Sequence, residues 1–209
     1  MIIAVDGPTA SGKGTIAKAL AAHFGLPHLD TGLLYRAVGK QTALNSGNPD
    51  DPLDAVRAVE FPDSLLDDPD LRSEASGALA SRVSVHKGVR AALLERQRAF
   101  AAQPGGAVLD GRDIGTVIAP DADVKLFVTA SVAARADRRY AESLSRGHEV
   151  TLEEIRADLA ARDERDRNRA EAPLVEAADA ILLDNSDLNA KASVAEAIRL
   201  VEEALAAKR

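Results

Sequence analysis

The amino-acid sequence predicts an α/β fold in which a parallel β-sheet is covered by helices on both faces. Apolar segments typical of buried strands alternate along the chain with longer segments of helical periodicity. The strand segments are 2–5, 107–109, 124–128 and 180–183, and the helical segments are 13–24, 33–45, 89–103, 132–146, 152–169 and 190–207. Because parallel strands need crossover connections, this alternation indicates βαβ units, with ligands bound beyond the carboxyl ends of the strands.

A glycine-rich segment follows the first strand and leads into the first helix. It reads Gly7-Pro8-Thr9-Ala10-Ser11-Gly12-Lys13-Gly14-Thr15. Strand, glycine loop, lysine and helix in this order are the context of a phosphate-binding loop, or P-loop. The glycines let main-chain N–H groups turn toward a polyphosphate, with the positive end of the helix behind them, and the lysine adds a full charge. The sequence therefore predicts a nucleotide site.

Two residues are candidates for holding Mg²⁺. The hydroxyl residue that usually follows the lysine of such loops is displaced by one position, so that Thr15 comes after Gly14. Thr15 would contact the ion directly or through water. Asp110 closes the strand 107–109, and a carboxylate at a strand end beside a P-loop commonly holds Mg²⁺ directly or through water. The alternative for Asp110 is an ordinary turn with Gly111.

The helical segment 152–169 has a face that changes character along its length. Its first part carries an apolar stripe at helical spacing, made of Leu152, Ile155 and Leu159. The same spacing continues through charged residues, namely Arg162, Asp166 and Arg169. Charges on an inward face are unfavourable unless they are paired or bound to a ligand, so we interpret this cluster as facing an anion. The alternative is a solvated helix stabilised by pairs such as Asp163 with Arg167.

Two breaks interrupt the alternation of strands and helices. The stretch 47–73 is rich in proline, aspartate and serine, and we interpret it as turns and short helices. A second break at 146–149 separates two helices and is a candidate flap tip. Arg135 and Arg138, one helical turn apart before this break, could reach the same anion.

Composition limits the classes of function. A chain of 209 residues suits one domain, and its net charge of −7 argues against a broad nucleic-acid-binding face. The absence of cysteine fits a reducing compartment, and the N-terminus begins as a core strand, so we expect no cleaved signal peptide and a cytoplasmic protein. No apolar run approaches the roughly 20 residues that span a bilayer. The four histidines show no metal-ligand spacing and are interpreted as structural or surface residues.

Five segments in this order resemble the bacterial cytidylate kinases, and the resemblance covers nearly the whole chain. The segments are GPTASGKGT (7–15), DTGLLYR (30–36), VRAALLERQR (89–98), DGRD (110–113) and RDERDRNR (162–169). The resemblance implies a P-loop kinase core with a parallel sheet flanked by helices, in one domain over 1–209. It also implies a small acceptor-binding arm at about 30–100 and a short lid at about 135–150.

The resemblance also implies roles for individual residues. The P-loop residues and three lid arginines would bind ATP, the arginines being Arg135, Arg138 and Arg139. The acceptor phosphate would be held by Thr31, Arg36, Arg112 and Arg169, the ribose by Arg162 and Asp166, and the cytosine by Ser81, Arg90 and Asp113. The catalytic residues would be Lys13, Arg112, Arg162 and Arg169. Thr31 stands where the family often has serine.

The implied reaction is transfer of the γ-phosphoryl group of ATP to CMP and dCMP with Mg²⁺, as part of pyrimidine metabolism. We expect a monomer without nucleic-acid or membrane partners. The chemistry of cytosine agrees, because Asp113 can accept a hydrogen bond from its N4 amino group, whereas uracil presents an oxygen there. Two alternatives stay open: a kinase for another small acceptor, and a nucleotide-switched binding module. Such a module needs no second anion pocket like the cluster at 162–169.

Overall fold

The computed structural model describes residues 1–145, 147, 149–169 and 172–208. The β-strands within these residues are β1 (Ile2–Asp6), β2 (His28–Asp30), β3 (Ala107–Gly111), β4 (Val124–Thr129) and β5 (Ile181–Asp184). The α-helices are α1 (Lys13–Phe24), α2 (Thr31–Leu44), α3 (Pro52–Arg57), α4 (Glu74–Val83), α5 (Lys87–Ala101), α6 (Val132–Ser145), α7 (Leu152–Arg167) and α8 (Ala190–Ala207). Two 3-10 helices (Asp63–Asp67 and Pro69–Arg72) and a π-helical turn (Ile114–Ile118) complete the elements.

The strands form one sheet in the order β2-β3-β1-β4-β5. β1 pairs in parallel with both β3 and β4, and β4 pairs in parallel with β5. The register places Val5 opposite Asp110 and Asp6 opposite Gly111. The acidic residues that follow the apolar parts of β1 and β3 therefore lie close together at the carboxyl edge of the sheet, where α/β folds bind ligands. The predicted α/β class is confirmed.

The chain divides into two compact units, Met1–Leu29 with Gln103–Arg209, and Asp30–Ala102. The first unit has its main core between the strands and the helices α1 and α8. This core includes Ile3, Val5, Ile16, Leu20, Leu126, Val128, Ala197 and Val201. Strands β1 and β3 are buried along nearly their whole length, which explains why their sequences are continuous apolar runs without alternation.

Helices α6 and α7 pack against each other through a smaller core in the first unit. Ala136 of α6 meets Ile155 and Leu159 of α7, so the apolar stripe predicted for α7 is buried. The N-terminus of α7 is fixed by a capping box in which Thr151 and Glu154 satisfy each other's main-chain N–H groups. This cap determines where α7 begins and therefore which of its later residues face inward.

The second unit consists of α2 to α5 and the two 3-10 helices. Helix α2 crosses α4 closely at Gly39, where a Cβ atom would lie 2.7 Å from the Cβ atom of Leu79. The stretch 47–73 contains turns, α3 and the 3-10 helices, as predicted. The arm predicted at about 30–100 covers nearly the same residues as this unit.

The sequence did not predict β2, α4 or the π-helical turn at Ile114–Ile118, and the predicted ends of several other elements are shifted. β2 has only three residues, too few for periodicity to reveal, and α4 contains glycine and serine residues that lower helix propensity. α7 ends at Arg167, two residues before the predicted end. Arg146 and His148 of the predicted flap tip lie outside the described residues. No helix among the residues described is long and apolar enough to cross a bilayer.

Candidate active site

The P-loop connects β1 to α1 and takes its shape from glycines. At Gly7 a Cβ atom would lie 2.0 Å from the main-chain oxygen of Val128, so only glycine fits beside β4. Gly12, with φ 86°, is the N-cap of α1, and no acidic residue in the first turn offsets the positive end of the helix. The ammonium of Lys13 donates to the main-chain oxygen of Pro8 at 3.3 Å. The loop therefore presents amides, a helix end and a lysine in one place, as phosphate binding requires.

The middle of the loop is held in a strained conformation by contacts from other elements. Ala10 has φ 62°, a left-handed conformation that costs a non-glycine residue about 1–2 kcal/mol. The side-chain amide of Asn185 donates to the main-chain oxygen of Ser11 at 2.8 Å. The Ser11 hydroxyl is buried and has no hydrogen-bond partner among the described residues. An unpaired buried polar atom in a phosphate loop indicates that a ligand completes the site.

Asp6 ends β1 and fixes the turn after Asp113. Its carboxylate accepts hydrogen bonds from the main-chain N–H groups of Ile114 and Gly115, both at 2.8 Å. Burial raises the pKa of Asp6 to about 6, although these two bonds and Lys13 oppose the rise, and nearby Asp113 adds to it. The buried Asp113 lies between this turn and the strand β3. The position of Asp113 is therefore set by Asp6, at the end of the adjacent strand β1.

Asp110 lies at the other acidic strand end and borders the P-loop. Its Oδ1 atom is 2.6 Å from Nε2 of His28. Its Oδ2 atom lies 3.8 Å from the place where a Cβ atom of Gly14 would stand. The Asp110 carboxylate therefore lies within ordinary contact distance of the first turn of α1.

The two residues predicted to hold Mg²⁺ carry oxygen donors. Thr15 offers a hydroxyl and Asp110 a carboxylate, and oxygen donors of this kind suit Mg²⁺. Within 1–145, 147, 149–169 and 172–208, no three side chains of acidic residues or histidine gather at one point. Mg²⁺ usually takes one or two protein oxygens and completes its shell with water and phosphate, so two donors are compatible with this ion.

Asp166 of α7 joins two predicted substrate-binding arginines. Its carboxylate accepts hydrogen bonds from Nε of Arg112 and from Nη2 of Arg169. Burial opposes ionisation of Asp166, but the charges of Arg112, Arg169 and Arg162 together bring its pKa below the ordinary value. Asp166 is buried, as its place in the stripe of α7 predicted. Three arginines around one carboxylate bring guanidinium groups together, and guanidinium groups are well suited to bind a phosphate.

The structure places Arg135, which is expected in a lid over ATP, in a buried ion pair. It is only 2% exposed, and its guanidinium makes a bidentate ion pair with Asp163, with N–O distances of 3.0 and 2.5 Å. It also donates to the main-chain oxygens of Ala130 and Thr9. Contact with ATP would require Arg135 to leave these partners. Helical spacing cannot reveal a partner on another helix, and the structure gives Arg135 a part in holding the P-loop.

Arg138 and Arg139 lie beside a cavity of about 420 Å³ next to the P-loop. Arg138 donates to the main-chain oxygens of Asn185 and Leu188, at 2.5 and 3.1 Å, and so fixes the connection between β5 and α8. The cavity is lined by Thr15 and Ile16 of α1, Arg139 and Glu142 of α6, and Ala190 and Ser193 of α8. Its size is in the range of sites for small organic ligands.

The other four predicted substrate residues lie in the second unit. Thr31 is buried at the start of α2. Arg36 lies further along the same helix and donates to the main-chain oxygens of Leu71 and Ser73, both at 2.7 Å. A Cβ atom at Gly77 of α4 would lie 3.1 Å from Nη2 of Arg36. Ser81 follows Gly77 by four residues, on the same face of α4. The Arg90 guanidinium lies 5.7 Å from the ring centroid of Tyr35, the neighbour of Arg36. The four residues thus occupy adjoining elements of this unit.

Four residues of this site were missed from the sequence. Asp6 had a detectable signal, since it stands between a buried strand and a glycine loop, and Asn185 follows the carboxyl end of β5. The sequence indicates Asp163 only as a surface partner of Arg167. It indicates His28 only as a structural or surface histidine, and nothing in the sequence reveals its contact with Asp110.

Comparison with known proteins agrees with these features. The sequence pattern of the family described as cytidylate kinase matches residues 3–203. The cytidylate kinase of Rhodopseudomonas palustris (strain TIE-1) is 56% identical, with 100% of this chain and 99% of the relative covered. That of Xanthobacter autotrophicus is 57% identical, with 97% of each chain covered. That of Caulobacter sp. (strain K31) is 55% identical, with 98% of this chain and 95% of the relative covered.

Solved structures support the fold alone. An uncharacterized protein from Eubacterium ventriosum aligns with a TM-score of 0.56 and 14% identity, covering 97% of this chain and 98% of that chain. A protein from Thermus thermophilus aligns with a TM-score of 0.50 and 21% identity, covering 98% of this chain and 97% of that chain. Both similarities extend over nearly the whole chain, so the arrangement of strands and helices is shared as a whole.

Proposed function

This chain belongs to the cytidylate kinase family, and from that premise we propose that it transfers the γ-phosphoryl group of ATP to CMP and dCMP, giving ADP and the nucleoside diphosphate. One observation carries the proposal within the molecule: Arg112 contacts both the P-loop residue Thr9 and the α7 carboxylate Asp166. This pair of contacts supports an arginine-lined acceptor site beside the triphosphate loop. Transfer between two phosphates requires such an arrangement, whereas a simple nucleotide switch does not.

The reaction needs no general base. The nucleophile is a phosphate oxygen of CMP, and because the second pKa of a phosphate monoester is about 6, this group is mostly dianionic at neutral pH. The protein has to place two anions in line and neutralise the charge that both carry. We assign this neutralisation to the P-loop amides with Lys13, and to Arg112, Arg162 and Arg169 on the acceptor side.

Mg²⁺ is the proposed cofactor, with Thr15 and Asp110 as the residues that would hold it, directly or through water. When bound, Mg²⁺ neutralises negative charge on the transferring phosphates. Asp110 is itself kept in place by His28, since their side chains are 2.6 Å apart. The partner on a second strand limits the rotation of the carboxylate before nucleotide arrives.

The acceptor residues are proposals that the resemblance supports. Arg112 and Arg169 would hold the phosphate of CMP, and Arg162 and Asp166 its ribose. Asp113 would accept a hydrogen bond from the N4 amino group of cytosine. The resemblance adds Thr31 and Arg36 for the phosphate, and Ser81 and Arg90 for the base, from the second unit.

The donor would place its phosphates on the loop at 7–15 and its nucleoside in the adjoining cavity beside Arg138 and Arg139. Both arginines lie on α6, and Arg139 lines that cavity. Arg135 retains a proposed role on the donor side, which its buried contact with the main chain of Thr9 supports indirectly.

We further propose that the protein works in the cytoplasm as a monomer, without nucleic-acid or membrane partners. The proposed substrates are nucleotides of the cell interior. A single chain supplies all of the proposed donor residues. The net charge of −7 is unfavourable for binding to nucleic-acid phosphates.

An acceptor panel with coupled detection of ADP tests the function. We expect rapid ADP and CDP formation with CMP, formation with dCMP, and much slower reaction with UMP or AMP. Lys13→Met should reduce the rate at least about 100-fold, the loss expected for removing one positioned donor of charge stabilisation. Lys18→Met is the matched control, because Lys18 is exposed on the same helix. ADP release that does not depend on CMP would contradict the proposal.

A further inference from the structure

Arg135 and Arg112, which belong to different elements, both donate hydrogen bonds to the P-loop residue Thr9. Nη1 of Arg135 donates to the main-chain oxygen of Thr9 at 3.0 Å, and Nη2 of Arg112 donates to its hydroxyl oxygen at 2.5 Å. Each arginine is in turn held by a carboxylate of α7, Arg135 by Asp163 and Arg112 by Asp166. Thr9 is therefore a junction between the P-loop and α7.

The junction is built from buried groups. The residues Thr9, Arg135, Asp163 and Asp166 all have less than a tenth of their surface exposed. Asp163 and Asp166 are three residues apart and so lie on one face of α7. The ion pair between Arg135 and Asp163 fixes the main chain of Thr9, to which Arg135 also donates. Moving Thr9 would expose or break this buried ion pair. The hydrogen bond from Arg135 to the main-chain oxygen therefore fixes the position from which the Thr9 side chain extends.

The side chain of Thr9 is suited to hold a guanidinium in one place. A β-branched side chain has few allowed χ1 rotamers, so an anchored main chain limits the directions in which the hydroxyl can point. That hydroxyl accepts one hydrogen bond from Arg112, and Asp166 accepts another through Nε. A guanidinium has five N–H donors, so these two bonds orient it and still allow it to donate to a phosphate.

We propose that the Thr9 hydroxyl is a positioning group that sets Arg112 relative to the P-loop, and thereby aligns the acceptor phosphate with the γ-phosphate of the donor. The inference rests on the proposed function in one respect, namely that Arg112 holds the acceptor phosphate. Thr9 contributes to phosphoryl transfer through Arg112 and in addition to any contact of its main chain with ATP. The P-loop of this protein thus serves both substrates, ATP through its amides and CMP through one side chain.

Thr9→Val tests this directly. Valine keeps the branched shape and the main-chain groups and removes only the hydroxyl. We expect kcat/KM for CMP to fall about 10- to 100-fold, since a displacement of about 1 Å in a catalytic group can lower the rate by that amount. KM for ATP should stay within about twofold, because the loop amides, Lys13 and the anchor through Arg135 are unchanged. Thr9→Ser keeps the oxygen and should recover most of the activity.

The same change in an Arg112→Ala background separates positioning from a general loop defect. If Thr9 acts through Arg112, then Thr9→Val has no further effect once Arg112 is removed, a non-additivity expected for residues that act as one unit. Should the valine side chain lower the melting temperature, Thr9→Ala deletes the hydroxyl without new bulk and carries the same expectation.

The outcomes distinguish the inference from the function on which it rests. Equal kcat/KM for CMP in the unaltered protein and Thr9→Val overturns the inference alone. A raised KM for ATP at unchanged kcat, or a loss that persists in the Arg112→Ala background, also overturns it. Unaltered protein that forms no CDP overturns the proposed function and the inference together.

Discussion

The buried ion pair between Arg135 and Asp163 allows the anchoring of the P-loop to be measured as stability. Asp163→Asn keeps the size of the side chain and removes its charge, leaving the guanidinium of Arg135 buried at 2% exposure without a counter-charge. Removing one partner of a buried pair typically lowers the free energy of unfolding by about 3–5 kcal/mol. For a chain of this length that corresponds to a fall in melting temperature of roughly 6–20 °C.

The double variant Arg135→Met with Asp163→Leu divides this loss into its causes. Replacing both charges by apolar groups removes the unpaired charge and is often nearly neutral for a buried pair. Here Arg135 also donates to the main-chain oxygens of Ala130 and Thr9, which would lose a partner. Each lost hydrogen bond costs about 1 kcal/mol or somewhat more, so the double variant should remain roughly 2–3 kcal/mol less stable than the unaltered protein.

Urea unfolding followed by circular dichroism measures both variants. The matched control is Glu203→Gln in the exposed pair with Arg199 on α8, where the two side chains are 62% and 51% exposed. Because solvent screens that pair, the control should unfold like the unaltered protein. If Asp163→Asn lowered the free energy of unfolding by less than about 1 kcal/mol, the pair would behave as an exposed one and the anchoring argument would be refuted.

Three further predictions concern the acceptor site and the strand end of β1. Asp113→Asn should reduce the preference for CMP over UMP by about 10- to 100-fold, because an amide can pair with either base edge. The preference is measured as the ratio of the two kcat/KM values. An unchanged ratio would show that Asp113 does not recognise the base. Arg169→Ala should lower kcat on the order of 10³-fold with a much smaller effect on melting temperature, and unchanged turnover would contradict its place in the pocket. Burial raises the pKa of Asp6 from 3.8 to about 6, so the folded state binds more protons than the unfolded state between these values. The free energy of unfolding should therefore fall as pH rises from about 4 to about 6.5, by roughly 3 kcal/mol more than in Asp6→Asn. Urea unfolding of both proteins across this range measures the difference. The same pH dependence in both would contradict the burial of the charge.

Most of the fold follows from local patterns that one sequence contains. α1 and α8 have the predicted bounds, because each carries an apolar stripe with clear ends, at the P-loop for α1 and at the Asn189 cap for α8. The four predicted strands appear with ends shifted by one or two residues. β2 and α4 were missed because a strand of three residues and a helix with glycine and serine depend on their neighbours for stability, which local propensity does not include.

The local geometry of the candidate site could be predicted where a residue type in its sequence context has one common structural role. The P-loop glycines and Lys13 belong to that class, and the inward position of Asp166 followed from the spacing of α7. Partnerships between distant residues were not predictable, since Arg135 and Asp163 are separated by 28 positions and neither has a distinctive sequence context. The spacing rule placed Asp163 one residue outside the stripe, and the same rule made Arg135 a candidate ligand.

In the proposed acceptor site, the carboxylate of Asp166 can order two arginines before an anion binds. Arginines that waited unpaired would repel one another and would have to be ordered when substrate arrived, which weakens binding. Asp166 orders Arg112 and Arg169 beforehand, and because its pKa stays below the ordinary value it remains charged at neutral pH. The carboxylate also cancels part of the positive charge, so a diphosphate product meets a weaker field than three free arginines would create. If this is the acceptor site that we propose, its ordered arginines and moderate net charge favour both in-line binding of the substrate and release of the product.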